Sequence, residues 1–284
     1  MKLAVTGATG QLGRLVVGGL LERTAPQNVV AVVRDAAKAA DLAARGVTVR
    51  VAPYDDGPAF EAALSGADRV LLISGSEVGK RIPQHRNVID AARAAGVKHL
   101  AYTSAPQATT SALILAPEHK ATEEYLAGSG LAYTILRNCW YTENYVRTVE
   151  TAKQTGTIVA AVGEGRVASA TRADYAATAV AVLLGEGHEG KVYELSGDYA
   201  WDYYELAAVA SKIIGSPVSY QPVDGQTLIE ILTGSGMERP AAEFVAALDG
   251  DIAAGLLSGV TGELSALIGR PTTPLEEGLR AALS

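Results

Sequence analysis

Short apolar runs alternate with stretches of helical periodicity through the first half of the chain. Leu12 to Leu21 and Ile82 to Ala95 place their apolar residues at the spacing of one helix face. The apolar runs predict buried strands at residues 2–6, 28–33, 47–51, 69–73, 99–103 and 131–136. Strands and helices that alternate in this way build a parallel sheet with helices on both faces. The pattern therefore predicts an α/β fold with a Rossmann-like, doubly wound parallel sheet.

The alternation changes after about residue 150. Residues 157–161 and 163–165 predict a hairpin, and helices dominate from Trp201 onward, apart from one strand near 218–221. We therefore divide the chain into residues 1–150, which carry the sheet, and residues 151–284, a smaller, mostly helical C-terminal lobe. Because residues 191–195 predict another strand, we expect the lobe to rejoin the main sheet in part.

A glycine-rich turn joins the first strand to the first helix. Gly7, Gly10 and Gly13 follow the strand with the spacing G-x-x-G-x-x-G. Gly7 allows a sharp turn, Gly10 lets the backbone approach a pyrophosphate, and Gly13 lets the helix pack closely on the strand. The helix N-terminus adds free N–H groups and the positive end of its dipole. We therefore predict a dinucleotide site, against the alternative of a tight turn that serves the fold alone.

Arg34 stands directly after the second strand, where dinucleotide-binding folds distinguish their cofactors. A carboxylate there would accept hydrogen bonds from the ribose hydroxyls and favour NAD, whereas a guanidinium can pair with the 2′-phosphate of NADP. The alternative for Arg34 is a solvated surface cation. Asp35 suits the N-cap of a helix over 36–45. The position of Arg34 predicts NADPH/NADP+ as the cofactor.

Other polar residues follow the remaining strands. Ligands of such sheets bind past the carboxyl ends of the strands, so the loop Ser74–Ser76 could bring its backbone close to the ribose or the nicotinamide, against the alternative of a plain strand-to-helix loop. Asp55, after the third strand, could accept from an adenine amino group or cap the next helix. Both alternatives for Asp55 stay open.

The composition of the chain argues against several classes of function. The net charge of −7 and the lack of a basic block argue against nucleic acid as a partner. No apolar run reaches the roughly 20 residues of a membrane helix, and the N-terminus leads straight into a strand, so we expect neither membrane insertion nor a signal peptide. The only cysteine, Cys139, suits a reducing cytoplasm. The four histidines lack metal-ligand spacing, and no G-x-S-x-G elbow indicates a hydrolase.

Seven stretches carry a resemblance to a known family: residues 6–13, 72–77, 83–88, 95–98, 136–144, 168–175 and 190–194. Over essentially its whole length the chain resembles the NmrA-like group of atypical short-chain dehydrogenases/reductases. Within that group it is similar to the type-2 NAD(P)H:quinone oxidoreductases. The resemblance implies NADPH-dependent, two-electron reduction of a small-molecule quinone by hydride transfer.

The residues and the resemblance together predict a set of cofactor contacts. Arg172 comes from the resemblance alone, and its alternative is a surface cation near a helix start. The predicted contacts are Gly7, Ala8, Thr9, Gly10, Gln11, Leu12, Gly13, Arg34, Asp55, Ser74, Gly75, Ser76, Asn138, Cys139, Trp140, Tyr141, Thr142, Glu143 and Arg172.

The predicted substrate pocket lies after the sixth strand and consists of Trp140, Tyr141, Asn144 and Tyr145. Aromatic residues at helical spacing usually belong to a core. Here they follow a strand end on the side where the nicotinamide should open to substrate. Flat aromatic walls suit a flat quinone ring, so we place at least one of them in the pocket.

The proton donor of related alcohol dehydrogenases is missing. Those enzymes use a Tyr-x-x-x-Lys pair, and if Lys120 is the lysine, Ala116 occupies the tyrosine position. A quinone gives a phenolate with a pKa of about 10, which water can protonate, so we predict no catalytic residue. Lys120 is either a cofactor contact or a solvated cation. The alternative functions are a non-catalytic NADP(H)-sensing regulator and a reductase of another small carbonyl or enone, and a homodimer stays open.

Overall fold

The computed structural model describes the whole chain, Met1–Ser284. Its strands are β1 (Leu3–Thr6), β2 (Val29–Val33), β3 (Thr48–Val51), β4 (Arg69–Leu72), β5 (His99–Ser104), β6 (Ala132–Asn138), β7 (Thr157–Ala160), β8 (Arg166–Val167), β9 (Lys191–Leu195), β10 (Trp201–Asp202) and β11 (Ser219–Pro222). Its α-helices are α1 (Gln11–Leu21), α2 (Ala40–Ala44), α3 (Gly57–Leu64), α4 (Arg81–Ala94), α5 (Ala116–Ala127), α6 (Val146–Thr155), α7 (Arg172–Leu184), α8 (Tyr203–Ile214), α9 (Gly225–Gly234), α10 (Arg239–Ala253), α11 (Glu263–Ile268) and α12 (Leu275–Leu283). None of these helices combines the length and apolar character that a bilayer crossing requires.

Seven parallel strands form the main sheet in the order β3-β2-β1-β4-β5-β6-β9. The chain runs outward from β1 to β3 and then returns to place β4 on the other side of β1. This reversal opens a crevice at the carboxyl ends of β1 and β4, where such sheets bind ligands. The predicted fold class and the predicted strands of the first half are confirmed.

Helices cover both faces of the sheet, which explains the continuous apolar runs of its strands. Every residue of β1, β2 and β5 is buried. On one face, Phe60 of α3 and Ile89 of α4 pack into a core with Tyr102. On the other face α1 packs against α7, where a Cβ on Gly19 would lie 3.1 Å from Val180. The glycine therefore allows a close helix–helix approach.

The chain forms two compact units that are interleaved in sequence. The first unit comprises Met1–Thr109, Leu115–Asn138 and Arg172–Leu195, and the second comprises Thr110–Ile114, Cys139–Thr171 and Ser196–Ser284. The predicted division near residue 150 is contiguous, whereas the structure returns α7 and β9 to the first unit. The reason is that β9 pairs in parallel with β6 and completes the sheet.

The predicted hairpin over residues 157–165 is wrong. β7 pairs in parallel with β11, and β8 pairs antiparallel with β10. Apolar alternation identifies a strand but does not select its partner, which here comes from residues far along the chain. Gly165 has a packing role instead, because a Cβ there would meet the backbone of Ile252 in α10.

Candidate functional site

A cavity of about 390 Å³ opens in the first unit at the carboxyl ends of β1, β2 and β4. It is lined by Gly7, Thr9, Gly10, Val32, Val33, Arg34, Asp35, Lys38, Ala52, Tyr54, Phe60, Ile73, Ser74, Gly75, Ser76, Glu77 and Gln84. Seven of the predicted cofactor contacts meet here: three from the turn after β1, one after β2 and three after β4.

The turn after β1 forms a cradle that only glycine fits. Gly7 has a φ of +58°, and the N–H of Gly10 donates to the Gly7 carbonyl at 2.9 Å. A Cβ on Gly13 would lie 2.3 Å from the Gly7 oxygen. Helix α1 starts after Gly10 with no side-chain cap and no acidic residue in its first turn. Its first N–H groups therefore suit an anionic ligand, and the cradle fits a pyrophosphate.

Hydrogen bonds at the base of the cavity tie three strands together. The Tyr54 hydroxyl lies 3.0 Å from Thr6 Oγ1 and 3.0 Å from the Ile73 carbonyl oxygen. The Ile73 N–H donates to the same Thr6 hydroxyl oxygen at 3.0 Å. Burial raises the pKa of Tyr54 to about 12, so its hydroxyl keeps its proton at neutral pH. These hydrogen bonds therefore link the end of β1 to the residues that follow β3 and β4 at the cavity.

Charged side chains gather at the part of the cavity that follows β2. Arg34 lies 3.4 Å from Glu77 in an exposed ion pair, and Lys38 lines the same region. A hydrogen bond from the Lys80 ammonium lowers the pKa of the Glu77 carboxyl below its usual range, and the positive charge of Lys80 is the second cause. Asp35 accepts from the Ala37 N–H at 2.9 Å, which confirms its predicted cap. The predicted helix over 36–45 is divided into a 3₁₀ turn, Ala36–Ala39, and α2.

Five predicted contacts near the cavity do not line it. Ala8, Leu12 and Gly13 are buried beneath the turn, and Gln11 is exposed at the start of α1. Asp55 is also exposed, and it accepts from Gln84 at 3.3 Å. The predicted capping alternative for Asp55 is wrong, because the neighbouring Asp56 caps α3 by accepting from the Ala59 N–H.

The predicted segment from Asn138 to Glu143 crosses from one unit to the other. Asn138 ends β6 in the first unit, while Cys139, Trp140, Tyr141, Thr142 and Glu143 belong to the second. In the second unit, Thr142 donates its N–H to the Ala170 carbonyl at 2.9 Å, and Ala170 donates back to Trp140 at 3.1 Å. The half-buried Arg172 is the first residue of α7, in the first unit.

The four predicted substrate residues occupy different environments in the second unit. Trp140 and Tyr141 are half-buried, and Asn144 is exposed. Tyr145 is buried with edge-on ring contacts to Trp201 at 4.8 Å and Tyr203 at 5.9 Å between centroids. Tyr145 therefore packs within an aromatic core, the role that aromatic residues at helical spacing usually have.

Several cavity residues were outside the sequence prediction, notably Lys38, Glu77 and Gln84. Lys38 follows Arg34 by four residues, and Glu77 follows the Ser74–Ser76 loop directly, so position relative to a strand end could have indicated both. Gln84 carries no such signal, because α4 brings it back to the loop only in the folded chain.

Lys120 lies on the exposed surface of α5, with its side chain 49% exposed and its Nζ 4.0 Å from Glu124 Oε1. Ala116, at the position of the tyrosine in related alcohol dehydrogenases, is buried. An acid–base pair is therefore not formed by these two positions.

Comparison with known proteins identifies the family. An NAD(P)H-binding family matches residues 7–186, more than half of the chain. Quinone oxidoreductase 2 of Escherichia coli K12 is 50% identical over 277 residues, covering 98% of this chain and 97% of that protein. The chain belongs to this NAD(P)H-binding, NmrA-like family of oxidoreductases. The predicted resemblance is confirmed, and so is a nicotinamide dinucleotide as the cofactor class.

Two solved structures extend the likeness to three dimensions. The NADPH-dependent quinone oxidoreductase of E. coli, complexed with NADPH, superposes with a TM-score of 0.96 at 49% identity and covers 99% of this chain and 100% of that one. The triphenylmethane reductase of Citrobacter sp., complexed with NADP(H), gives a TM-score of 0.95 at 40% identity, covering 99% and 100%. Both solved structures are therefore of enzymes that were crystallised with a nicotinamide dinucleotide phosphate.

Proposed function

We propose that this protein is an NADPH-dependent quinone reductase. The cavity carries the proposal, because it joins a glycine cradle for a pyrophosphate to an arginine placed after β2. Similarity to the E. coli quinone oxidoreductase supports a quinone as the acceptor.

The residues present fit the cofactor at three places. Gly7, Gly10 and the first turn of α1 would hold the pyrophosphate, and Arg34 would pair with the 2′-phosphate through its planar fork. The Ser74–Ser76 loop would bring backbone to the remaining ribose and nicotinamide. When bound, the dinucleotide supplies the hydride for a two-electron reduction. The predicted contacts from Asn138 to Glu143 and at Arg172 remain part of this proposal.

We propose that the reaction proceeds without a general acid from the protein. Lys120 is exposed and pairs weakly with Glu124, and Ala116 has no proton to donate. Reduction of a quinone tolerates this, because the product phenolate has a pKa of about 10 and takes its proton from water. The protein's task is to bind and orient the two reactants in a shielded site.

For the substrate, we propose contacts from Trp140, Tyr141 and Asn144 in the second unit. Half-buried aromatic rings and an exposed amide suit a flat ring with carbonyl oxygens. The single cysteine, Cys139, supports a reducing compartment such as the cytoplasm. Light scattering of the purified protein would determine whether it forms a homodimer.

The decisive experiment follows NADPH oxidation at 340 nm with and without a panel of small quinones. Turnover that depends on the quinone, with hydroquinone formed in equal amount, is the expected result. NADP+ binding without any turnover would instead indicate a nucleotide-sensing regulator. Robust oxidation of simple secondary alcohols with NADP+ would contradict the proposal, because that reaction needs the missing acid.

A second acceptor class is favoured by one relative. The triphenylmethane reductase of Citrobacter sp. is 40% identical to the chain over nearly the whole of both proteins. A triphenylmethane dye is also a conjugated, electron-poor acceptor of a hydride. The same assay should therefore include such a dye, and a kcat/KM higher for the dye than for every quinone would assign the protein to that class.

A further inference from the structure

A buried histidine outside the cavity supports the loop after β4. His85 on α4 is completely buried, and its Nε2 lies 3.0 Å from the N–H of Gly75. Its Nδ1 lies 2.9 Å from the hydroxyl of Thr122 on α5. His85 itself does not line the cavity, whereas Ser74, Gly75 and Ser76 do.

The neighbouring hydrogen bonds determine which ring nitrogen carries the proton. The Thr122 hydroxyl donates its single hydrogen to the Glu118 carbonyl at 2.8 Å, so its oxygen can only accept from His85. Nδ1 is therefore protonated, and Nε2 accepts from the Gly75 N–H. Burial, with the Arg81 charge as the second cause, lowers the pKa of His85 to about 4, so the ring is neutral at pH 7.

The same loop is held at two further backbone groups. Arg81 donates from Nε to the Gly75 carbonyl at 2.6 Å, and the Gly79 N–H donates to Glu118 at 3.0 Å. A Cβ on Gly75 would lie 3.2 Å from Gln84 Oε1, so α4 packs closely against this part of the loop. Both backbone groups of Gly75 are thus bound to side chains of α4, which fixes the shape of this cavity wall.

We propose that His85 is a positioning residue for the cofactor, acting through the Gly75 N–H, an inference that rests on the proposed function of this cavity. The neutral ring accepts one hydrogen bond that orients the loop before the dinucleotide arrives. Without that acceptor the Gly75 peptide loses its fixed orientation, and binding must order the loop again. The hydrogen bond carries no charge that could distinguish NADPH from NADH. Its loss should therefore weaken the binding of both cofactors by the same factor.

Two amide substitutions of different reach test the proposal. The amide oxygen of His85→Gln extends as far as Nε2 and can accept from Gly75, whereas the shorter His85→Asn reaches only the Thr122 side. The dissociation constants of NADPH and NADH, measured by calorimetry on the folded proteins, should rise about tenfold for His85→Asn and stay within about threefold for His85→Gln. His85→Phe, which keeps ring volume without the acceptor, should match His85→Asn.

His119→Phe is the matched control for loss of a buried histidine. His119 on α5 is also buried and neutral, but its Nδ1 bonds to the Tyr102 hydroxyl at 2.8 Å and not to the loop. This variant should lower the melting temperature while the cofactor constants stay within about twofold. The proposal would be overturned if His85→Asn and His85→Gln bound the cofactors with equal affinity. It would also be overturned if His119→Phe lost as much cofactor affinity as His85→Asn.

Failure of the cavity assignment has a separate signature. If Arg34→Ala also leaves both cofactor constants unchanged, the cavity is not the cofactor site and the proposed function of its residues is wrong. If Arg34→Ala weakens NADPH selectively while His85→Asn changes nothing, only the role of His85 is wrong.

Discussion

Two arginines of the first unit stand at strand ends and differ in almost every other respect. Arg34 follows β2, is 66% exposed and has a single ion pair at 3.4 Å with Glu77. Arg137 lies near the end of β6 and is only 11% exposed. It donates from Nε and Nη2 to both oxygens of Glu123 at 3.0 and 2.6 Å, and from Nη1 to Glu194 at 2.7 Å.

The difference separates a cation that can meet a ligand from one that supports the fold. The bidentate hydrogen bond to Glu123 is the main cause that raises the pKa of Arg137, and the hydrogen bond to Glu194 adds to it. The guanidinium charge is therefore balanced by carboxylates of the protein itself. Glu123 also accepts from the Ser104 hydroxyl at 2.6 Å, so β5, β6, β9 and α5 meet at one network. Arg34 instead contacts Glu77 through one guanidinium nitrogen, and both side chains are exposed. Ion pairs of this kind contribute little to stability. Burial and the number of partners therefore decide the role of each arginine, and strand-end position alone does not.

The largest effect is expected from Arg137→Met. This change leaves Glu123 buried without its counter-charge, which typically costs about 3 to 5 kcal/mol of unfolding free energy. Urea unfolding should measure that loss, while the NADPH dissociation constant of the folded variant stays within about twofold. A loss below about 1 kcal/mol would show that the network is not structural.

Arg34→Ala should give the opposite pattern. Loss of a charge-assisted pair with the 2′-phosphate should weaken the binding of NADPH about ten- to a hundredfold and the binding of NADH less than about threefold. The unfolding free energy should change by less than about 0.5 kcal/mol, because the Glu77 pair is exposed. Calorimetric titration with both cofactors provides the measurement. Equal losses for NADPH and NADH would remove the phosphate role.

A buried carboxyl group without a counter-charge sharpens the comparison. Asp249 in the second unit is buried and accepts from the Ala161 N–H at 2.7 Å, and burial raises its pKa to about 6. The folded state therefore binds this proton more tightly than the unfolded state, so its contribution to stability falls as the pH rises from about 4 to about 6.

Asp249→Asn keeps an acceptor for Ala161 and removes that ionisation. We expect it to raise the unfolding free energy at pH 8 by on the order of 1 to 2 kcal/mol, with little change at pH 4. Urea unfolding at the two pH values is the measurement. Destabilisation at pH 8 would mean that the carboxylate is stabilised by its surroundings.

The aromatic residues after β6 offer a similar contrast. Trp140→Ala should raise the quinone KM about three- to tenfold and change NADPH affinity by a smaller factor, because Trp140 is half-buried and is proposed to contact substrate. Tyr145→Ala should instead lower stability, since the ring packs on Trp201 and Tyr203. If Trp140→Ala only lowers the melting temperature, this residue also belongs to the core.

Lys120→Ala should have the smallest effect. Its ammonium is exposed and 4.0 Å from Glu124, so stability should change by less than about 0.5 kcal/mol. Quinone turnover should stay within about tenfold of the unchanged protein, whereas loss of an essential general acid would typically reduce it by about 10² to 10⁴. Near-total loss of turnover with NADPH binding intact would contradict a mechanism without a protein acid.

The sequence by itself determined the features that depend on neighbouring residues. Apolar runs identified the strands of the sheet, because a strand buried on both faces needs no distant information to be apolar. The glycine spacing identified the cradle, since the steric demand at Gly7 and Gly13 arises within one turn. The place of Arg34 after β2 followed from the same local order.

Only the tertiary structure decided which distant residues meet. It paired β7 with β11, returned α7 to the first unit, and gave the capping role to Asp56 and not Asp55. The environments of His85 and Arg137 were equally hidden, because a hydrogen bond to a loop on another element leaves no periodic trace in the chain. Long-range partners depend on how the layers pack, and packing determined which polar groups support the fold and which face the cavity.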